Sequence, residues 1–220
     1  MLEYELLRSK RKTVGISIKD GKITVKAPKY VNKRDIDSFV EKNREWIEKK
    51  LALGLRKRSR FADFLDCKKF LYMGKVLDIK AAKNKRVLID GGAIYIPSEI
   101  GVSDLKTKLV KEYKRLAVDY LQARLDVLSE YSGMKYEKLV LTSAKSKWGS
   151  CSSERLMRLN WRLMMLPEGL SDYVLIHELC HTKHMNHSSE FWNCVAEFIP
   201  DYKKRRQLLK EYSAIMDVLR

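Results

Sequence analysis

Tyr173-Val-Leu-Ile-His-Glu-Leu-Cys-His181 is the stretch on which the reading of this chain turns, and it continues through Thr182-Lys-His-Met-Asn-His187. All four histidines of the 220 residues, His177, His181, His184 and His187, fall within it. On a helix, residues four apart project from one face, so His177 and His181 can grip the same metal ion. Glu178 lies beside that face and can act as general base toward a metal-activated water. Composition alone produces H-E-x-x-H in roughly one chain in 200, so the motif needs support. The apolar entry Tyr173–Ile176 supplies it, because a helix that presents ligands on one side must be packed on the other.

A third ligand must come from beyond His181. His187 ranks first, carried back toward the ion if the helix breaks at Asn186, a residue that tolerates the left-handed conformation. Glu190 on the following helix and His184, one turn along the same stripe, are the alternatives. Three protein ligands leave a fourth position for chemistry, whereas binding by both His184 and His187 would close the site and make it structural. Imidazole ligands favour zinc, one ion per chain, with Ni2+ or Co2+ as the other divalent candidates.

Working outward, Leu156–Met164 reads as a strand and Pro167 onward as helical, with breaks near Asn186 and Pro200. Toward the N-terminus, Ser103 or Asp104 caps a long helix whose stripe Leu105, Leu109, Tyr113, Leu116, Tyr120 and Leu128 runs to Ser132-Gly133. Phe70–Met73, Lys75–Ile79, Val87–Ile89 and Ala93–Ile96 are short strands of a small sheet, the last two joined through Asp90-Gly-Gly92. Asp20-Gly21 joins Val14–Ile18 to Lys22–Val25 as a β-hairpin. An amphipathic helix follows from Arg34 to Leu53, stopped by Gly54, and Leu55–Arg60 is a basic linker. The expected organisation is a basic hairpin-plus-helix module over 1–60 and a metal domain over 61–220, α+β in class.

The net charge is +17, and residues 1–60 hold 18 Lys+Arg against 8 Asp+Glu. Such a field attracts polyanions, so nucleic acid is an expected partner through the basic surface. No run of about 18 apolar residues exists, and the opening residues interleave acids and bases where a secretory signal would be apolar. The expectation is a cytoplasmic protein with no membrane span. Cys67, Cys151, Cys180 and Cys194 contain no Cys-x-x-Cys pair and are expected as reduced, mostly buried thiols. Ser150 and Cys151 beside Gly149 are not read as nucleophiles, because no histidine outside the metal cluster can activate them. That segment is expected to shape a cleft wall.

The ordered set Ser9-Lys-Arg11, Arg44-Glu-Trp46-Ile47, Lys147-Trp-Gly-Ser-Cys151, Leu159-Asn-Trp-Arg162, Leu166-Pro167, His177–His181 and Asn186-His-Ser-Ser-Glu-Phe-Trp192 resembles the YgjP-like family of metal-dependent hydrolases. These are relatives of the zincin-type metallopeptidases, including the SprT-like and WLM groups. The resemblance implies a minimal zincin core, a small sheet beside the H-E-x-x-H helix, with His187 as third ligand. It leaves peptide and nucleotide substrates both open, since a YgjP member is described as a UTP pyrophosphatase. In the peptide reading a strand such as Leu156–Leu163 holds the substrate by added β-pairing. In the nucleotide reading Lys145, Lys147, Arg158 and Arg162 neutralise phosphates, with Trp148 beside them.

Overall fold

A computed structural model describes residues 2–19, 21–66, 68–83, 86–90 and 92–219. The chain divides into two compact units, Met1–Arg60 and Phe61–Arg220, each with its own apolar cluster. The turn residues Asp20 and Gly91 and the thiol of Cys67 lie outside the described residues.

In the first unit, strands β1 (Glu5–Ser9), β2 (Gly15–Lys19) and β3 (Lys22–Pro28) form a sheet in the order β1-β3-β2. β2 and β3 pair antiparallel, as alternation leads one to expect, while β1 lies parallel to β3 with Ser9 opposite Pro28. Helices α1 (Lys33–Lys42) and α2 (Arg44–Arg60) follow, and Asn32 caps α1 by accepting from the Asp35 amide. Ile23, Val25, Ala27, Ile36, Val40 and Ile47 make the core. The single helix expected over 34–53 is therefore two. Asn43 ends the first by turning its side-chain amide onto the Phe39 carbonyl at 2.8 Å. Gly54 stops nothing, because helix formers flank it and its cost of about 1 kcal/mol is carried. The expected linker 55–60 is the end of α2.

The second unit opens with the short α3 (Ala62–Leu65). A four-stranded sheet follows, β4 (Phe70–Tyr72), β5 (Lys75–Ala82), β6 (Leu88–Asp90) and β7 (Ala93–Pro97), in the order β4-β5-β7-β6. Helix α4 (Val102–Ser132) starts at an N-cap Gly101, so Ser103 and Asp104 lie inside its first turn, where the Asp104 charge suits the helix dipole. Gly133, at φ 66°, ends it in the left-handed conformation. Of the expected α4 stripe, Leu109, Tyr113 and Leu128 are buried, while Leu105, Leu116 and Tyr120 are half-buried against the core; Leu121 and Leu125, outside that stripe, are fully buried, and the Tyr113 hydroxyl donates to the Leu71 carbonyl at 2.6 Å.

A second sheet, β8 (Lys138–Thr142), β9 (Gly149–Cys151) and β10 (Leu156–Asn160), has β10 in the centre, parallel to β8 and antiparallel to β9. The strand expected to reach Met164 stops at Asn160, whose side chain accepts from the Arg162 amide and starts a 3-10 turn over Trp161–Met165. Helices α5 (Glu168–Cys180), α6 (Ser189–Phe198) and α7 (Tyr202–Glu211) complete the unit with a 3-10 turn, Tyr212–Asp217. Nine residues of α5 are buried, so it is a core helix packed on most of its circumference. Arg124 of α4 clamps it with two 2.7 Å bonds to the Asp172 carboxylate. Among the described residues no helix is long and apolar enough to cross a membrane. The architecture is α+β.

Candidate metal centre

His177, on the last turn of α5, and His181, its C-cap, face the same side, their ring centroids 5.0 Å apart. The chain does not wait until Asn186 to turn. α5 ends at Cys180, where the amides of Lys183 and His184 both return to the Cys180 carbonyl, and Asn186 is not among the residues with positive φ. This early tight turn brings His187 back, its Nε2 lying 3.2 Å from His177 Nε2. One donor atom from each of His177, His181 and His187 falls within 4.8 Å of the others. His184 and Glu190 stand outside that group. The carbonyl of His184 instead holds the Nδ1 of His181 at 2.9 Å, and the carboxyl of Glu190, at the start of α6, is lowered from its ordinary value by the Ser188 hydroxyl.

The donor set fits a cation. Around a tetrahedral ion with bonds of 2.0–2.1 Å, ligand nitrogens lie about 3.3 Å apart, close to the His177–His187 separation. Burial first, then the neighbouring His181, His187 and Arg206 charges, push His177 down to about 3, and burial also lowers His181. Neutral imidazoles with free lone pairs are what a cation requires. The Nδ1 hydrogen bond of His181 fixes its tautomer so that Nε2 is the ligand atom. Phe191 of α6 backs all three rings, with centroids 4.9, 4.4 and 4.7 Å from His177, His181 and His187, and is itself fully buried.

Glu178 is 6% exposed. Burial raises its carboxyl to about 7, against the pull of Lys147 and of the Cys151 amide, which donates to it. A dication beside it would favour the carboxylate again. Gly149 of β9 lies directly under this side chain, since a Cβ there would stand 2.7 Å from Glu178 Cγ and 2.8 Å from Oε1. The sheet and the motif helix thus touch where only glycine fits.

Two adjoining hollows of about 260 and 180 Å³ flank this contact, sharing Lys147, Gly149, His177 and Glu178. The larger adds Ser150, Cys151, His181, Met185 and His187; the smaller is walled by Trp148, Tyr173, Val174 and Leu209. A hollow of about 840 Å³ in the first unit surrounds the Tyr4–Asp37–Lys33 network, and among the described residues it brings no three metal ligands together.

Of the residues expected to touch substrate, Lys147 and Trp148 line the cleft. Lys145 sits in the same loop, exposed, and does not line it. Arg158 is exposed on the face of β10 opposite to buried Met157 and Leu159 and lines neither hollow. Arg162 is corrected. It is 4% exposed, donates through Nε to the Val218 carbonyl at 3.0 Å and lies over the Trp161 ring. The expected peptide-pairing strand is corrected too, because β10 already has neighbours on both edges and residues 161–163 are not extended. Cys151 lines the cleft wall as expected, and Cys180 and Cys194 are buried free thiols.

Reading the sequence missed Arg206. It lies 4.7 Å over Trp192, whose ring is 5.5 Å from that of His187, and its charge reaches His177. Nothing distinguishes it in the sequence from the other 44 basic residues. Phe191 and Gly149 stood inside recognised segments without an assigned task.

A three-imidazole cluster with a buried glutamate on the same helix, open on a cleft, defines the class of metal-dependent hydrolases. This chain belongs to the YgjP-like family: the family model described as YgjP-like, metallopeptidase domain, matches residues 12–212. The resemblance read from the ordered motifs holds at that level. A similar solved structure is the metallopeptidase zymogen abylysin of Pyrococcus abyssi, 24% identical, covering 40% of this chain and 90% of that chain with a TM-score of 0.37. No curated protein matches the chain.

Proposed function

We propose that this protein is a zinc-dependent hydrolase of peptidase type, with His177, His181 and His187 as ligands and Glu178 as general base. The observation that carries the reading is the buried Glu178 side chain, set against Gly149 and lining one cleft with the three imidazoles. Zinc, when bound, supplies Lewis acidity that polarises a carbonyl or phosphoryl oxygen and acidifies water.

The chain's own residues do the rest. Glu178 takes a proton from water and returns it to the leaving group, its carboxyl aimed by the Cys151 amide and tuned by Lys147. Edge strand β9, which lines the cleft, offers backbone groups to an extended peptide, in place of the central β10. The walls of Trp148, Tyr173, Val174 and Leu209 exclude water and accept an apolar group.

A second reading, nucleoside triphosphate pyrophosphatase, draws on two cations at this site, Lys147 in the cleft and Arg206 over Trp192 beside the His cluster. In it Glu178 directs water at phosphorus, and those two side chains take up the phosphate charge. One experiment separates the readings: a turnover screen of unfolded polypeptide and UTP with zinc-loaded protein and its Glu178→Gln variant. Glu178-dependent peptide cleavage supports the first and Glu178-dependent pyrophosphate release the second. Turnover undiminished in Glu178→Gln would reject the assigned base in both.

A further inference from the structure

At one end of the first unit two turns meet. The parallel register of β1 and β3 sets Ser9 beside Pro28, and β2 begins at Gly15 opposite Lys26, so segments 10–14 and 29–32 emerge side by side. Hydrogen bonds fix them. Arg8 donates to the carbonyls of Pro28, Lys29 and Val31 at 3.1, 3.0 and 2.7 Å, and the Tyr30 hydroxyl donates to the Lys12 carbonyl at 3.4 Å.

These turns expose Lys10, Lys12 and Lys29, with Arg34 following at the start of α1. No acidic residue occurs from Leu6 to Lys19 or from Gly21 to Arg34. None of the four cations forms an ion pair among the described residues, whereas the neighbouring Lys33 is satisfied by Asp37 and Tyr4. Among them stands Tyr30, 79% exposed, the most exposed large apolar side chain of the described residues. Cations held near one another without ion-pair partners repel one another, and a strand of phosphates relieves that repulsion while releasing its own counterions. An exposed ring at the centre offers a stacking platform.

We infer that this end of the first unit binds single-stranded nucleic acid, with phosphates on Lys10, Lys12, Lys29 and Arg34 and a base stacked on Tyr30. A duplex hides its base faces from such a ring, which favours a single strand. An anionic membrane satisfies the same charges, but insertion asks for several exposed apolar side chains, and within the two turns Tyr30 is the only large one. None of these residues belongs to the metal centre.

The test is fluorescence anisotropy of a labelled single-stranded 20-mer titrated with the full chain, in rising salt. Four phosphate contacts on a single strand predict a slope near −3, so affinity falls by roughly fiftyfold between 50 and 200 mM salt. Lys12→Glu with Lys29→Glu flattens the slope and weakens binding more than tenfold. Tyr30→Ala weakens it about fivefold or more, while Tyr30→Phe, which keeps the ring and loses the bond to Lys12, binds as the parent does. All of these side chains are exposed, and circular dichroism checks that the variants fold. The inference is overturned if no binding is seen at 50 mM salt, if the charge-reversed variant binds like the parent, if duplex competes as well as single strand, or if phosphatidylserine vesicles are bound more tightly than the oligonucleotide.

Discussion

The side chain of Glu178 rests on the backbone of Gly149, so closely that a methyl group on that glycine would lie 2.7 Å from Glu178 Cγ. Sheet and motif helix are in register at this contact, and the same strand donates the Cys151 amide to the carboxylate. Gly149→Ala therefore moves either β9 or the carboxyl. The expected result is retained metal with turnover reduced by more than tenfold and a stability loss of about 1–3 kcal/mol. Metal content and turnover measured on one sample check it, and full activity in Gly149→Ala would mean that the contact does not hold Glu178.

Asn160 is completely buried and ties down the loop that carries Lys147 and Trp148. Its Nδ2 donates to the carbonyls of Ala144 and Lys147 at 2.8 and 3.2 Å, and its amide donates to the Trp148 carbonyl at 2.8 Å. Asn160→Ala leaves two carbonyls without their donor, at a cost of about 1–3 kcal/mol. Asn160→Asp removes the donor while keeping the shape and adds a buried charge, and is expected to cost at least as much. Denaturant unfolding measures both, and proteolysis within 143–148 should accelerate in step.

Acid stability has a local contribution at the end of α4. The Tyr136 hydroxyl, first, and the Gln122 amide hold the Asp126 carboxyl below its ordinary value of 3.8. A carboxyl depressed in the folded state adds stability that is present above the unfolded value and is lost as pH falls through the folded one. Tyr136→Phe should lower the melting temperature at neutral pH and narrow its distance from the parent as pH drops below about 4. A difference that stays constant through that range would assign the effect to packing alone.

Much of this is legible in the sequence, and the reasons are physical. The His177–His181 spacing follows from helical pitch, the stripe of α4 from the same period, and the β2–β3 pairing from alternation. Where the chain leaves a regular period the reading failed. α5 gives way at Cys180 to a tight turn in which the amides of Thr182 and Lys183 bond the carbonyls three residues back, Leu179 and Cys180, and no residue type announces that. Arg162 looked like a phosphate ligand because a sequence does not say that Asn160 ends the strand and turns its neighbour inward. Arg206 owes its place to the stacking of α7 on α6 through Trp192 and Tyr202, a tertiary fact.

The ligand set makes the most direct demand on experiment. The measurement is zinc bound per chain, by mass spectrometry on purified protein after zinc loading and dialysis, for the parent and for single alanine variants of the four histidines. The parent and His184→Ala should each hold about one zinc, and His177→Ala, His181→Ala and His187→Ala should each lose tight binding. A parent that retains no zinc, or a His187→Ala variant that retains it as the parent does, would rule out the assigned ligand set.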